Sequence, residues 1–262
     1  MKASSIAQHE TSFRQSGIDS SGTKFVLTNE TVNISDNAGG TITLVDCHKE
    51  VIDDSYYFAE EHPKERIVLH YTAGFLKGDI AQLSRQSVEV SVPFVISRSG
   101  HIYNLWKSKY WSYHLGPDAV GGNTFGSQRS IPIELSNIGF LRKKAGGLLH
   151  TIYSKDDVYC TEAETSQYQK LPEAYRNELY YAKYTSAQYN SLIRLLRYLT
   201  ARFNIPRTFL PPSKRYKVFG TSAEAQNFKG ICSHVNFRPS GKWDIGPAFD
   251  WERVAKGLKM GL

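Results

Sequence analysis

Long apolar runs are missing from this 262-residue sequence. A helix that crosses a bilayer needs about 20 mostly apolar residues. The longest apolar stretch, residues 90–96, already contains Ser91 and Pro93. We therefore predict no membrane span. Internal repeats and low-complexity tracts are missing as well, so nothing in the sequence indicates a repeat protein.

Cysteine is also scarce, with Cys47, Cys160 and Cys232 as the only three. Three scattered cysteines cannot form a disulfide framework, and their odd number leaves at least one thiol unpaired within the chain. None of them is surrounded by the local signature of a cysteine protease. These features favour synthesis in a reducing compartment.

The composition is that of a folded protein, with 40% hydrophobic, 22% charged and 13% aromatic residues. Such a mixture can bury a sizeable core, which excludes a chain that is disordered over most of its length. The net charge of +7 favours a polyanionic partner. A nucleic-acid-binding protein would carry clustered basic residues with interleaved aromatics, whereas only short basic runs such as residues 142–144 occur. We therefore predict no nucleic-acid partner.

The pattern divides the chain near residue 60. Residues 1–60 are rich in Ser, Thr, Asn and Gly and contain two short β-type runs, which predicts a mobile start followed by a small β appendage. Residues 61–262 mix apolar strands with helices, which predicts an α/β main domain. Within it, residues 141–184 are crowded with tyrosines and are predicted to be an insertion. The main-domain strands are predicted at residues 67–70, 90–97, 101–106 and 131–138.

The clearest helix is predicted over residues 186–203. Its apolar residues recur at i, i+3, i+4 and i+7, while its arginines avoid that stripe. Thr185 and Gln188 are spaced as a capping box, and Pro206 lies just beyond the end.

A hydrolytic zinc site uses three protein ligands and one open position, and two histidines with one carboxylate are a standard set. His70 ends a predicted strand and precedes a loop that contains Gly74. His234 follows another apolar stretch, and a Pro/Gly turn after it would bring Asp244 back beside it. The residues alone leave two interpretations open, a metal site or structural histidines at strand ends. Cys232 and His234 also have strand spacing for a metal pair, although a small buried apolar role suits Cys232 better.

Five sequence blocks resemble the zinc-dependent N-acetylmuramoyl-L-alanine amidases of the type-2 group, whose fold is shared with peptidoglycan-recognition proteins. Val-Leu-His-Tyr-Thr-Ala-Gly at residues 68–74 is similar to the family's Leu-His-His-Thr-Ala-Gly block. The hairpin at 90–103 and the Trp-Ser-Tyr-His-Leu-Gly run at 111–116 match the next two blocks. Ser-Ile-Pro-Ile-Glu-Leu at 130–135 and the stretch 234–246 match the last two. The blocks occur in the family's order over about residues 64–255.

The resemblance implies a mixed central β-sheet flanked by helices and one Zn²⁺ per chain. It places His70, His234 and Asp244 on the metal, and it gives Glu134 the role of general acid and base. It further implies that Lys242 stabilises the developing oxyanion and that His114 contacts the substrate. The implied activity is hydrolysis of the amide between N-acetylmuramic acid and L-alanine in peptidoglycan, with peptidoglycan or a muropeptide as partner.

Two departures from the family pattern affect these expectations. Some members carry a tyrosine and a histidine in the hairpin block, where this chain has Val92 and Pro93, so Glu134 is left as the expected proton carrier. The last block has Ile245 where the family has proline, which retains the ligand Asp244. The alternative function is a peptidoglycan-binding protein that does not cleave, but such a binder typically loses a ligand or the acid, and this chain has both.

Two further expectations concern residues 1–60. No apolar segment follows Lys2, so no secretory signal is predicted, and delivery to the cell wall would need phage lysis or another non-classical route. All matched blocks lie beyond residue 60. A chain that starts near Glu60 is therefore expected to keep the metal and to cleave small muropeptides.

Overall fold

The structure is a computed structural model that describes residues 2–154 and 156–259. Within those residues, no helix has the length and apolar character needed to cross a membrane. The helices are α1 (Lys2–Ser16), α2 (Leu76–Leu83), α3 (Asn123–Gln128), α4 (Ser186–Phe203), α5 (Ser222–Asn227) and α6 (Trp251–Lys259). The strands are β1 (Phe25–Asn33), β2 (Thr41–Lys49), β3 (Arg66–Tyr71), β4 (Phe94–Ile96), β5 (Ile102–Asn104), β6 (Ser130–Leu135), β7 (Phe140–Lys143), β8 (Leu148–His150), β9 (Val158–Thr161), β10 (Tyr168–Tyr175), β11 (Glu178–Ala182) and β12 (Gly230–Ser233).

The central sheet has seven strands in the order β1-β2-β5-β4-β6-β3-β12. Strands β4, β6, β3 and β12 run parallel, whereas β5 is antiparallel to β4. Every residue of β3 is buried, as expected for a strand covered on both faces. This mixed sheet with helices confirms the predicted α/β fold class.

Helix α4 covers one face of the sheet. Leu192, Leu195, Leu196 and Leu199 are fully buried and belong to the same apolar cluster as the strand residues of β3 and β6. The Thr185 side chain accepts a hydrogen bond from the Gln188 backbone N–H, and the Gln188 side chain completes the capping box. The predicted helix and its cap are therefore confirmed at the predicted bounds.

The first 60 residues pack into the same sheet. The two predicted β-type runs are present as β1 and β2, and β2 pairs with β5 in parallel, so both strands extend the central sheet. The segment for which the sequence predicted a mobile start forms the helix α1 over Lys2–Ser16, which the sequence did not predict. Phe13 of α1 and Phe25 of β1 are almost completely buried, and Phe13 contacts the ring of Tyr103 on β5 edge to face.

The tyrosine-rich segment predicted as an insertion folds as a second sheet. Its five strands have the order β10-β11-β7-β8-β9, and each neighbouring pair is antiparallel. Leu149 and Tyr159 of this sheet form an apolar cluster with Ile6 of α1. The second sheet is therefore held against the N-terminal helix.

A buried ion cluster fastens the β1–β2 turn to α4. Both Asp36 carboxylate oxygens accept hydrogen bonds from Arg197 at 2.7 and 2.8 Å, and Oδ2 also accepts one from Arg207 at 2.7 Å. The Arg197 hydrogen bond is the largest influence on the pKa of Asp36, and with Arg207 it holds that pKa well below its usual value despite burial.

Replacing Asp36 with alanine is expected to lower the free energy of unfolding by about 3 kcal/mol at neutral pH, because two mostly buried guanidinium groups lose their counter-ion. A carboxyl whose folded pKa is depressed stabilises the fold above its unfolded pKa of about 3.9, and this stabilisation disappears as pH falls towards the folded pKa. The difference between variant and wild type should therefore shrink below about pH 4. Urea denaturation over a pH series measures it.

Asp46→Ala on the neighbouring strand is the matched control for that experiment. The Asp46 side chain is half exposed, and within the part of the chain that the structure describes its carboxylate has one close side-chain contact, His48 Nδ1 at 3.3 Å. Its loss is expected to change stability by no more than about 0.5 kcal/mol. Equal effects of the two substitutions would contradict the assigned role of the Asp36 cluster.

Candidate metal centre and active site

Three neighbouring parallel strands bring the predicted site residues to one edge of the central sheet. His70 on β3 is the register partner of Glu134 on β6. Ser233 at the end of β12 pairs with Leu69 of β3, so His234 follows beside His70. Because parallel strands share their carboxyl-end edge and in-register side chains point to the same face, His70, Glu134 and His234 lie in a row.

A loop supplies the third ligand candidate. The backbone N–H of Val235 donates to the Asp244 carbonyl at 3.0 Å, which turns the chain back beside His234 as the sequence predicted. On the far side, the Tyr184 hydroxyl donates to the Ile245 carbonyl at 2.8 Å, and Trp243 Nε1 donates to the carbonyl of Arg176 at 3.1 Å. Asp244 is thus held from both sides in spite of the missing proline.

The three ligand atoms form a small triangle. His70 Nδ1 lies 3.0 Å from His234 Nδ1 and 3.1 Å from Asp244 Oδ2, and His234 Nδ1 lies 2.9 Å from Asp244 Oδ2. Ligands about 2.0–2.1 Å from a tetrahedral Zn²⁺ are about 3.3 Å from one another, so only a slight expansion is needed. All three side chains are buried. His70, His234 and Asp244 can therefore hold a metal ion.

The hydrogen bonds of the outer ring nitrogens of His70 and His234 indicate which nitrogens carry protons. His234 Nε2 lies 3.0 Å from the Leu115 carbonyl, which can only accept, so Nε2 carries a proton, and in the neutral ring Nδ1 then presents a lone pair. Nε2 of His70 lies 3.1 Å from Nδ1 of His114. If His70 Nδ1 also presents a lone pair, three acceptors face one another at about 3 Å. A cation relieves that repulsion, and outer partners of this kind orient histidine ligands in metal sites.

The ionisation states suit a metal site too. Burial, reinforced by the neighbouring His234, lowers the pKa of His70 to about 4, so its ring is neutral at pH 7. Burial alone would raise the pKa of Asp244, but His234 and His70 hold that pKa well below its usual value. A neutral imidazole and an ionised carboxylate are the forms that bind a metal.

Glu134 and Lys242 lie beside the triangle. Glu134 is half-buried, and its Oε2 is buried without a hydrogen-bond partner among the described residues. Burial and then the charge of Asp244 raise the pKa of Glu134 well above its usual value, while Lys242 opposes the rise. A buried carboxyl group with one oxygen that accepts no hydrogen bond from the described residues is suited to carrying a proton.

His114 belongs to the site because its ring contacts that of His70. It is buried, and burial lowers its pKa well below the usual value, so the ring is neutral. When His70 Nε2 donates to His114 Nδ1, the proton of His114 stands on Nε2, which has no partner among the described residues. That N–H is available to a bound molecule. The predicted substrate contact of His114 stays a prediction.

A cavity of about 320 Å³, here called the metal cavity, opens over these residues. Val92 forms part of its wall where some family members have a tyrosine. A larger cavity of about 520 Å³ adjoins it, but none of the three candidate metal ligands lines that cavity. The smaller cavity is therefore the candidate active site. The metal cavity is lined by His70, His114, Glu134, His234, Lys242 and Asp244, among others.

The alternative metal pair of Cys232 and His234 is not formed. Burial raises the pKa of the Cys232 thiol to about 12, and its Sγ lies near the Ile67 carbonyl. It therefore packs as a small apolar group, as the sequence favoured. Sequence reasoning missed Asp79 and Tyr153, which lie at the larger cavity, because no short-range pattern connects them to the site.

Fold and site together define a class of α/β proteins with a candidate centre of two histidines and one carboxylate at the carboxyl edge of a mixed sheet. The family described as N-acetylmuramoyl-L-alanine amidase (Amidase_2) matches residues 60–247, more than half of the chain. The chain belongs to this family, which confirms the resemblance seen in the sequence. No curated protein matches the chain.

Several solved structures are similar to this chain. The N-acetylmuramyl-L-alanine amidase AmiD from E. coli, in complex with anhydro-N-acetylmuramic acid-L-Ala-D-gamma-Glu-L-Lys, is 21% identical with a TM-score of 0.47, over 76% of this chain and 59% of AmiD. AmpDh3 from Pseudomonas aeruginosa, in complex with anhydromuramic pentapeptide, is 17% identical with a TM-score of 0.46, over 79% of this chain and 66% of AmpDh3. The amidase LysC from Clostridium intestinale is 16% identical with a TM-score of 0.39, over 78% of this chain and 92% of LysC. The chain thus spans less than two thirds of AmiD and of AmpDh3.

Proposed function

We propose that this protein is a zinc-dependent amidase that hydrolyses the bond between N-acetylmuramic acid and L-alanine in peptidoglycan or its fragments. The observation that carries the proposal is the convergence of His70, His234 and Asp244 within one cavity, beside Glu134 and Lys242. Family membership supports the substrate, and AmiD and AmpDh3 were both solved with muramyl peptides. Nitrogen and carboxylate donors in a set of three favour zinc with one open position.

Bound at His70, His234 and Asp244, Zn²⁺ would polarise the scissile carbonyl and make water acidic enough to lose a proton near neutral pH. Glu134 takes the proton of the attacking water and delivers it to the departing amine. Burial raises the pKa of Glu134 above the usual value, which makes this carboxylate a stronger base towards the attacking water than an ordinary one.

Lys242 and His114 serve the carbonyl side of the reaction. Lys242 lines the metal cavity, where its ammonium group stabilises the negative charge that develops on the carbonyl oxygen. The free Nε2–H of His114 donates a hydrogen bond to the acyl part of the substrate, while its Nδ1 holds His70 in place. Because Lys242 and His114 act on the acyl side of the substrate, Glu134 is the group that transfers protons.

Purified protein is expected to contain about one zinc per chain, as elemental analysis would show. His234→Ala should lose most of this metal, because it removes one of three ligands and frees its partner Asp244. His48→Ala, on an exposed strand position, is the matched control and should keep full zinc. Full zinc in His234→Ala would contradict the ligand assignment.

The activity itself is tested on purified peptidoglycan, with and without a chelator, with the new termini identified by mass spectrometry. Release of stem peptides that begin with a free L-alanine amine, abolished by the chelator and restored by zinc, is the expected result. Binding of peptidoglycan without any new terminus would support the alternative, a recognition protein on the same fold.

A further inference from the structure

Two adjoining cavities lie apart from the candidate active site. One, of about 300 Å³, is formed by β1, β2, α4 and the turn that joins β4 to β5. The other, of about 440 Å³, is formed by α1 and the same turn. Arg14 and His101 line both cavities, which are here together called the basic groove. No residue that lines the basic groove lines the metal cavity or the larger cavity beside it.

Two arginines line the smaller cavity of the basic groove. Arg14 comes from α1 and Arg194 from α4, and both side chains are exposed. Neither of them forms an ion pair or a side-chain hydrogen bond with another described residue. By contrast, Arg197 on the same helix α4 is paired with Asp36 at 2.7 Å. Within the part of the chain that the structure describes, the guanidinium groups of Arg14 and Arg194 therefore lack a close counter-ion.

The other titratable groups of the basic groove do not neutralise these charges. Burial and then the charge of Arg14 lower the pKa of His101, so its ring is neutral at pH 7. The Glu10 carboxylate lines the larger cavity, and it accepts hydrogen bonds from the backbone N–H groups of Arg98 and Ser99 at 2.7 and 3.0 Å. No other described carboxylate lines either cavity. Two arginines against one carboxylate leave the groove positive, and such a surface attracts an anion.

The lining of the basic groove indicates which anion fits. Two adjoining cavities are longer than a single anionic group, so a chain with repeated charges suits them. Arg14 and Arg194 approach from different helices, which matches the tetrahedral oxygens of a phosphate better than the two coplanar oxygens of a carboxylate. No described Phe, Tyr or Trp lines either cavity, so the bases of a nucleic acid would find no ring on which to stack.

We propose that the basic groove binds a linear polymer whose backbone carries phosphate groups and no aromatic rings. The bound chain lies along both cavities, with its phosphates on Arg14 and Arg194. Uncharged polar side chains at the groove, such as those of Asn29, Thr43 and Gln15, are placed to donate further hydrogen bonds. This site is separate from the candidate active site, and its existence does not depend on the proposed amidase activity.

The test measures binding of fluorescently labelled linear polyphosphate by anisotropy at one fixed salt concentration, because salt screens such contacts. The wild-type protein is expected to bind the chain. The double variant Arg14→Gln/Arg194→Gln should bind it about tenfold or more weakly, since two charge-assisted contacts are lost. Both positions are exposed, so circular dichroism should show an unchanged fold.

The double variant Arg85→Gln/Lys144→Gln is the matched control. It removes the same two positive charges from exposed positions that have no ion pair with another described residue. Neither residue lines the basic groove, and Arg85 lines a different cavity. Its affinity for polyphosphate is expected to stay within about twofold of wild type.

Equal losses in the two double variants would overturn the proposal, because net charge alone would then explain the binding. Absence of binding by the wild-type protein would overturn it as well. Poly-γ-glutamate, single-stranded DNA and phosphatidylglycerol vesicles present carboxylates, stacked bases and a flat phosphate surface, respectively. If one of these probes binds more tightly than polyphosphate and loses affinity in Arg14→Gln/Arg194→Gln, the basic groove belongs to that partner and the proposed phosphate polymer is wrong.

Discussion

Replacing Glu134 with glutamine is expected to lower turnover by about 10²-fold or more while the zinc content stays at the wild-type level. Glutamine keeps the shape of the side chain but cannot carry a proton between water and the departing amine. Glu134 is not one of the three ligand residues, so the metal should remain. Steady-state kinetics on a soluble muropeptide, with elemental analysis of the same preparation, measure both quantities.

Glu30→Gln, at an exposed position of β1, is the matched control and should have wild-type turnover. Lys242→Ala should also keep its zinc but lose rate, because it removes the positive charge near the developing oxyanion. Wild-type turnover in zinc-loaded Glu134→Gln would mean that another group carries the proton. Asp79 would then be examined first, since burial raises its pKa to about 7, opposed by its hydrogen bonds to Ser136 and Thr72, and its charge affects the pKa of Glu134.

The elements that the sequence predicts well are those with a local cause. Strands β3 and β6 are short apolar runs because they are buried on both faces, and α4 has both an apolar stripe and a capping box. The predicted strand at residues 90–97 is shorter in the structure, where β4 is Phe94–Ile96. Pro93 has no N–H to give to a ladder, and Val90 forms only an isolated bridge with Tyr113.

The sequence blocks select the candidate site residues but do not predict how these residues are arranged in space. His70 and His234 meet because β12 pairs with β3 in parallel, and no local pattern predicts a pairing between strands that are so distant in the chain. The contacts of His114 with His70, and of His234 with the Leu115 carbonyl, depend on the same long-range packing.

Helix α1 was missed because its sequence has little amphipathic character. Its buried apolar residues, Ile6 and Phe13, are seven positions apart, with polar residues at most positions between them. Two apolar residues at this spacing do not form the stripe that identifies a helix against a core. The buried Glu10 accepts hydrogen bonds from the backbone N–H groups of Arg98 and Ser99 at 2.7 and 3.0 Å, a contact that sequence patterns cannot reveal.

Removal of residues 1–60 is now expected to abolish folding, contrary to what the sequence predicted for a chain that starts near Glu60. Phe13, Phe25, Cys47 and Tyr56 are almost completely buried and belong to one apolar cluster with Tyr103 of β5. Burying each large apolar side chain contributes about 1.5–3 kcal/mol, and the whole stability of a domain is about 5–15 kcal/mol. The deletion removes several such contributions at once.

Loss of β1 and β2 would also leave β5 as an unpaired sheet edge beside an exposed apolar surface, which promotes aggregation. Circular dichroism and urea denaturation of the 61–262 fragment should therefore show no cooperative unfolding transition. Phe13→Ala in the full chain is a milder probe of the same contact and should cost about 3–5 kcal/mol. A fragment with a native spectrum and a cooperative transition would show that the cluster around Phe13 and Phe25 is dispensable. The main domain would then fold without the segment that contributes His9 and Ser20 to the lining of the larger cavity beside the metal cavity.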